Sequence, residues 1–461
     1  MHVPPFSPAL RLDGAARAAY VAMHVLDSVD AGHEAAFVLA RAGKRARLTP
    51  EEAAAAVRYA YAVLKGRNRY DWLLEQGGVS VEPWSRPGWR LAASLAESGE
   101  STEPAEVALH ALARFVERRL DGRQWRGFVA FAAKPRFPDG AEELALKFGH
   151  PSWLVEMWTR ELGTQAPALL AANNQEPRLS IRANRLKTDP ADLAAQLSKE
   201  GFRAKPGAFA PDALFVEPKQ GVFRTQAFRA GLFEVQDEGS QLVAALVGAK
   251  SGQTVLDACA GAGGKTLALG ASMANKGTVV ALDTNAGRLD DLKGRAGRAG
   301  VFNYEAILVD PQSEPVASAK DLRRGVEKPR APKLPVSFDA ILIDAPCSGL
   351  GALRRTPEIR WRRGPDQIAH YLVIQSALLV RWASQVKPAG ALVYATCTLR
   401  RAENEEVVEP FLASHPEFAL GDAREALPET ARHVVDARGF LRTMPHRDGC
   451  DGFFAARMIR A

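Results

Sequence analysis

Two cysteines follow strand-like apolar runs: Cys347 in Asp344-Ala345-Pro346-Cys347-Ser348-Gly349 and Cys397 in Tyr394-Ala395-Thr396-Cys397. Upstream, Val255-Leu256-Asp257 runs into a glycine-rich turn, Gly261-Ala262-Gly263-Gly264-Lys265-Thr266. One chemistry uses both features: methylation of a pyrimidine carbon. The C5 of cytosine is a poor nucleophile. A thiolate added to C6 makes the ring enamine-like, and C5 can then attack a methyl sulfonium. The thiolate is the reactive form, so its cysteine needs an electropositive setting, which Lys265 can supply. A single buried cysteine is ordinarily a small core residue. Two of them, on strands that should neighbour each other beside a cofactor turn, point instead to catalysis. Cys259, inside the turn, reads as a packing or backbone element, and Cys450 as inert.

Four strands in succession end in a carboxylate: Asp257, Asp283, Asp310 and Asp344. Ligands of an open parallel sheet bind beyond the carboxyl ends of its strands. Acids gathered there suit a ligand with ribose hydroxyls and a positive centre, and S-adenosylmethionine has both. Asp283 follows Asp257 by 26 residues, the place of a ribose-binding acid. Gly261, Gly263 and Gly264 let the backbone come close to the ligand. Any one of these acids could be a strand-end cap; the ordered series is what carries the reading. A P-loop nucleotidase is the competitor, since Gly264-Lys265-Thr266 matches the end of that motif. Cys259 stands where the motif requires glycine.

The elements that position these residues occupy the second half of the chain. From about residue 236, strand candidates at Thr254–Leu256, Thr278–Leu282, Glu305–Val309, Phe338–Ile343 and Ala391–Ala395 alternate with helices, which predicts a parallel sheet. Between the last two, Ile368, Leu372, Leu379, Trp382 and Val386 mark a helix ending at Lys387-Pro388. Residues 311–337 are proline-rich and basic and read as a surface loop. Residues 1–145 read as all-helical. A helix spans Ala15 to Val29, and Thr49-Pro50-Glu51-Glu52 is a capping box whose helix runs through Val57, Tyr61 and Leu64 to a stop at Gly66. Another helix covers Val107 to Leu120. Arg114, Arg118, Arg119, Arg123, Arg126, Lys134 and Arg136 cluster around Trp125 and Phe128, a pattern open to RNA contact or to a solvated face. Residues 146–235 mix helix and strand. His150-Pro151-Ser152-Trp153 starts a helix, Leu179–Asn184 alternates like a half-buried strand, and Phe223, Phe228 and Phe233 read as core.

The 461 residues carry a net charge of +7 and suit two or three domains and a polyanionic partner. Four cysteines without a CxxC pair predict neither a disulfide framework nor a structural zinc site. No apolar run is long enough to span a membrane, and Met1-His2-Val3-Pro4-Pro5 lacks the pattern of a secretory signal. The expected compartment is the reducing cytoplasm. After Cys347, Arg354, Arg355, Arg360, Trp361, Arg362 and Arg363 suit RNA phosphates and a stacked base.

The stretches Asp257–Thr266, Asp344–Gly349, Arg354–Trp361, Tyr394–Thr398 and Asp451-Gly452-Phe453-Phe454 resemble the RNA (cytosine-5) methyltransferase family. His150–Leu154, Ala172–Gln175 and Arg182-Ala183-Asn184 extend the resemblance to the middle segment. Val63-Leu64 and Tyr70–Leu73 are similar to the NusB-like domain of its bacterial branch that methylates small-subunit ribosomal RNA. The resemblance implies an α/β fold. A Rossmann-like S-adenosylmethionine-dependent methyltransferase domain at 236–461 would follow a NusB-like RNA-binding domain at 1–145 and a small α+β RNA-binding subdomain at 146–235. It implies Cys397 as nucleophile, Cys347 as the cysteine that assists release, and Asp344 and Lys265 as their catalytic neighbours. The cofactor would be held by Cys259, Ala260, Gly261, Ala262, Gly263, Gly264, Lys265, Asp283, Arg288, Asp310 and Asp344. It further implies a monomer that acts on RNA, ribosomal or transfer, without metal or membrane. A DNA cytosine methyltransferase, with its nucleophile at Cys347, and a non-catalytic RNA-binding protein are the alternatives. The family usually has alanine at Gly261 and proline at Ala262.

Overall fold

A computed structural model describes residues 2–138, 141–309, 315–318 and 337–461. The chain forms two compact units: Met1–Gln175 with Leu353–Gly364, and Glu176–Ala352 with Pro365–Ala461. Among the described residues, no helix is long and apolar enough to cross a membrane.

The first unit is helical throughout. Helices Gly14–Asp30, Ala35–Ala46, Pro50–Gln76, Arg86–Glu97, Glu103–Phe115 and Gly122–Ala132 share one apolar core, in which Arg86–Glu97 is buried along most of its length. The capping box forms: Glu52 N donates to Thr49 Oγ1 at 3.3 Å, and Thr49 N to Glu52 Oε2 at 2.8 Å. The helix it opens does not stop at Gly66. It kinks there, with φ −121° and ψ 19°, and continues to Gln76. A side chain at Gly66 would meet the Tyr70 ring at 2.8 Å, and one at Gly149 would lie 2.1 Å from Lys65 O, so the kink is packed from two sides. The inward face is Ala56, Tyr59, Ala60, Val63 and Leu64, whereas Val57, and Val107 in a later helix, are exposed. Trp125 and Phe128 are buried against Trp89, with ring centroids 5.0 and 5.4 Å away, so they do not interleave an RNA surface. The seven basic residues around them are all exposed.

Segment Leu353–Gly364 belongs to this helical unit, and there its arginines meet a different fate from the one their charge suggests. Arg360 is fully buried. Its Nη1 lies 3.2 Å from Lys65 O, 3.0 Å from Gly149 O and 2.9 Å from Asn174 Oδ1. Trp361 Nε1 donates to Leu64 O at 2.6 Å. Backbone carbonyls at a packed kink need donors where water is excluded, and a planar guanidinium supplies several from one side chain. Arg354 is buried too; Arg355, Arg362 and Arg363 are half-buried. Arg360 and Trp361 are therefore withdrawn from the RNA-facing set.

The second unit begins with a small antiparallel sheet in the order β2-β3-β1-β4: β1 (Ser180–Ala183), β2 (Arg203–Pro206), β3 (Ala213–Glu217) and β4 (Phe233–Val235). β1 is buried on both faces, not one, because Arg182 bonds inward to Gln236 Oε1 at 2.7 Å. Phe233 is core, while Phe223 is 55% exposed.

The large sheet contains β5 (Thr254–Asp257), β6 (Thr278–Asp283), β7 (Tyr304–Val309), β8 (Pro315–Ser318), β9 (Phe338–Asp344), β10 (Val386–Thr396), β11 (Phe418–Gly421), β12 (Leu441–Arg442) and β13 (Phe454–Arg460). Its order is β11-β13-β10-β9-β5-β6-β7-β8, with β12 paired to β13. The five strands from β10 to β7 are parallel; β8, β11, β12 and β13 add antiparallel edges. Alternate residues pack into opposite layers, Val255 and Leu342 into one, Leu256 and Ile343 into the other. That accounts for the continuous apolar runs. The helix before β10 is Pro365–Ala383; Lys387-Pro388 lies inside β10, at the shift of register between Val386 and Ala391, an irregularity that tolerates proline. Of segment 311–337, residues 315–318 form a strand instead of loop; Asp310, 311–314 and 319–336 lie outside the described residues.

Replacing Arg360 by Ala would leave buried carbonyls without donors, and each such loss costs about 1–3 kcal/mol. We expect Arg360→Ala to lower unfolding free energy by roughly 2–4 kcal/mol, read from the urea midpoint of circular dichroism. A midpoint equal to that of the unaltered protein would show the arginine to be dispensable.

Candidate active site

The strand order runs outward from β5 in both directions, to β6 and β7 on one side and to β9 and β10 on the other. The crevice beyond the carboxyl ends at this reversal is the expected ligand site. The glycine turn leaves β5 there, and the Asp344–Ser348 loop leaves β9 there.

The turn is built for close approach. Gly263 has φ +84° and caps helix Gly264–Ser272, and any Cβ on it would lie 2.1 Å from Leu292. Asp283, at the end of β6, accepts from Gly261 N and Asn285 N, both at 2.8 Å. It thus braces the turn while keeping further acceptor capacity. Asp257 is buried at the end of β5. Its Oδ2 accepts from Thr266 Oγ1 at 2.7 Å, and its Oδ1 has no protein partner. Burial pushes its carboxyl up to about 7, although the Thr266 bond favours the ionised form. Half-buried Cys259 lies among these acids, and burial followed by their charge pushes its thiol up. Ala260 is buried, Ala262 half-buried, and Ala262 O accepts from Arg295 Nη1 at 2.8 Å. Arg288 lies in the first turn of helix Ala286–Ala299 with its side chain exposed. An unpartnered buried carboxylate oxygen, a braced acid at the second strand end and a turn of glycine and small residues fit S-adenosylmethionine.

The cysteines converge beside this turn. β9 and β10 are adjacent and parallel, with Asp344 opposite Ala395, so both chains leave the sheet at one level. Cys347 Sγ and Cys397 Sγ lie 3.3 Å apart. Backbone bonds pin the loops: Gly351 N donates to Cys397 O and Gly452 N to Gly351 O, both at 2.9 Å. A Cβ on Gly351 would meet Gly452 O at 2.0 Å. Lys265 Nζ donates to Asp344 Oδ2 at 2.6 Å and sits 5.4 Å from the Phe453 ring centroid. Burial alone would discharge the ammonium, but Asp344, Asp257 and Cys397 more than offset it, so its pKa is raised and it stays charged. Cys347 is pushed well above the ordinary thiol range, chiefly by its hydrogen bond with Cys397, then by burial and nearby charge including Glu403. Cys450 is buried. Among the described residues, no group of three or more His, Cys, Asp and Glu side chains could hold a metal ion.

Sequence reasoning missed Glu403 and Gln375. Glu403 is fully buried; its Oε1 accepts from Ser348 N at 2.8 Å, and its Oε2 lies 2.6 Å from Ser348 Oγ. Gln375 Nε2 donates to Pro346 O at 2.9 Å and to Glu403 Oε1 at 3.2 Å. In sequence, Glu403-Asn404-Glu405-Glu406 reads as a solvated helix start, and its offset from Cys397 was the only signal available.

This fold and crevice define an S-adenosylmethionine-dependent methyltransferase. The family model described as 16S rRNA methyltransferase RsmB/F matches residues 244–459, and the RsmF/B-like ferredoxin-like domain matches 150–222. A probable ribosomal RNA small subunit methyltransferase B of Bacillus subtilis is 33% identical over 414 residues, 86% of this chain and 88% of that protein. One from Synechocystis is 34% identical over 324 residues, 69% of this chain and 68% of that protein. The chain belongs to the RsmB/F methyltransferase family. The crystal structure of PH0851 superposes with a TM-score of 0.78 at 26% identity, covering 97% of this chain and 99% of that one. A methyltransferase homolog protein from Pyrococcus horikoshii gives 0.56 at 25% identity, covering 69% and 98%.

Asp257 links cofactor binding to pH. A carboxyl raised to about 7 is largely protonated below that pH. A cationic ligand favours the ionised form, so binding must release a proton there. S-adenosylmethionine affinity is therefore expected to be flat above pH ~7 and to weaken below it, by up to about tenfold per unit. Calorimetry should show this slope lost in Asp257→Asn; a slope retained in the variant would assign it to another group.

Proposed function

We propose that this protein forms 5-methylcytosine in small-subunit ribosomal RNA through a covalent bond between Cys397 and C6 of the base. The observation that carries the reading is the pair of thiols 3.3 Å apart beside the Lys265–Asp344 ion pair. The Lys265 ammonium has Cys397 among the groups acting on it. Cys397 adds to C6, and C5 gains the electron density to take a methyl group. S-adenosylmethionine, when bound, supplies that methyl as an electrophile. Cys347, held as a thiol, serves the later stage, in which the C5 proton leaves and the C6 thioether breaks. Asp344 orients Lys265 at its 2.6 Å contact. The names of the Bacillus subtilis and Synechocystis relatives support the ribosomal substrate.

For RNA contact we assign the exposed cations of the helical unit, Arg114, Arg118, Arg119, Arg123, Arg126, Lys134 and Arg136, together with the half-buried Arg355, Arg362 and Arg363.

The two cysteines are expected to fail differently. Cys397→Ala should abolish methylation and form no adduct. Cys347→Ala should accumulate a protein–RNA adduct that survives a denaturing gel. The reverse pattern would favour the arrangement of DNA cytosine enzymes, and full activity in both variants would end the covalent reading.

The RNA assignment predicts a steep salt dependence. Replacing Arg118, Arg119, Arg123 and Arg126 with Ala should flatten the slope of log affinity against log salt by about 3–4, given ~0.7–0.9 per phosphate contact. Filter binding to a 16S rRNA fragment at several KCl concentrations reads it; parallel slopes would move the contact elsewhere.

A further inference from the structure

The two thiols share a site, and the loops that carry them meet at Glu403. This side chain is fully buried in the turn after Cys397. Its carboxylate takes the N–H of Ser348, the peptide that directly follows Cys347, at 2.8 Å, and approaches the Ser348 hydroxyl at 2.6 Å. Ser348 Oγ also lies 2.9 Å from Thr398 Oγ1, the residue after Cys397. Gln375 bridges Glu403 to Pro346 O, the residue before Cys347. The Glu403 carbonyl accepts from Tyr394 OH at 2.6 Å, and Asn404 Oδ1 lies 2.6 Å from Thr396 Oγ1. The loops of both cysteines are thus tied to one carboxylate, while Lys265 pairs with Asp344 and has Cys397 among the groups acting on it.

A buried carboxylate is retained at such a place only when its charge is compensated by donors. Here Ser348 and Gln375 donate to the carboxylate, and the Arg400 guanidinium forms an ion pair with it at 3.8 Å. The Glu403 charge acts on the Cys347 thiol after the Cys397 hydrogen bond and burial. The titratable groups around Cys347 are Cys397, Glu403 and Tyr394; those around Glu403 are Cys347, Tyr394 and Arg400.

We propose that Glu403 is a positioning residue that makes the two thiols unequal: it locks the Pro346–Ser348 loop so that Cys347 rests against Cys397, and its buried charge reserves the nucleophile's role for Cys397. The assignment of roles rests on the covalent reading above; the inequality of the thiols does not. Glutamine at 403 can keep the geometry. Its Oε1 can take Ser348 N–H and the Gln375 amide, while its Nε2 donates to Ser348 Oγ, whose hydroxyl turns to Thr398. Only the charge is lost.

The test uses the full-length protein without RNA. Iodoacetamide modification of Cys347 and Cys397 is followed by peptide mass spectrometry from about pH 6 to 10, a span that brackets ordinary thiol titration. In the unaltered protein Cys397 should react faster. In Glu403→Gln the rate of Cys347 relative to Cys397 should rise about tenfold, the equivalent of one pH unit of titration, with the Cys347 profile moving to lower pH. An unchanged ratio and profile in the folded variant would overturn the proposal. Buried Cys450 reports unfolding. If the glutamine variant unfolds, Ser348→Ala replaces it. That variant strips a donor from Glu403 and should slow Cys347 a few-fold, and an unchanged rate there would equally overturn the proposal. Failure of Cys347→Ala to trap RNA would defeat the covalent reading and leave the reactivity ratio standing, so the two ideas fail separately.

Discussion

The parallel pairing of β9 with β10 is the constraint on which the site depends. Asp344 lies opposite Ala395, so the chain leaves both strands at one level, and residues two or three positions further on must meet. That register brings Cys347 and Cys397, 50 residues apart in sequence, to sulfur contact. A slip of one residue would offset the two strand ends and turn the side chains of one strand to the wrong face of the sheet. Such a slip is opposed by apolar side chains of both strands packed in two separate layers. The cost of a misplaced thiol is thus tied to the stability of the core.

Charge at the strand ends is arranged in opposition. Among the described residues, the crevice side carries Asp257, Asp283 and Asp344 with the buried ammonium of Lys265. Burial alone would neutralise both signs: it raises Asp257 and opposes the charge on Lys265. Lys265 stays charged beside Asp344, and the more deeply buried Asp257 becomes the group that titrates near neutrality. A cofactor with a positive centre meets a site whose charge is adjusted by its arrival.

The helical unit shows how basic residues divide by depth. Arg360 lies in an arginine-rich run but is spent on carbonyls beside a kinked helix. Arg114, Arg118, Arg119, Arg123 and Arg126 remain exposed around a core that took Trp125 and Phe128 for itself. Composition treats these arginines alike. What separates them is whether a backbone carbonyl shielded from water lies within reach, since such a group is costly to leave without a donor.

Local signals in the chain were sufficient for the alternation of strands and helices, the glycine turn, the strand-end placement of Asp257, Asp283 and Asp344 and the neighbouring placement of the two cysteine strands, because each follows from apolar periodicity and turn chemistry within a few residues. The capping box at Thr49 is of the same kind. The continuation of its helix beyond Gly66 was not legible, because the glycine that reads as a stop is kept in the helix by packing from Tyr70 and Gly149. The antiparallel strands β11, β12 and β13 escaped for a similar reason: β13 is held by pairing with β10, β11 and β12 rather than by its own pattern. Glu403 was hidden most completely. Its role comes from two loops folding over one carboxylate, and burial, which turns an acidic residue from a solvated charge into a fixed one, exists only in the tertiary structure.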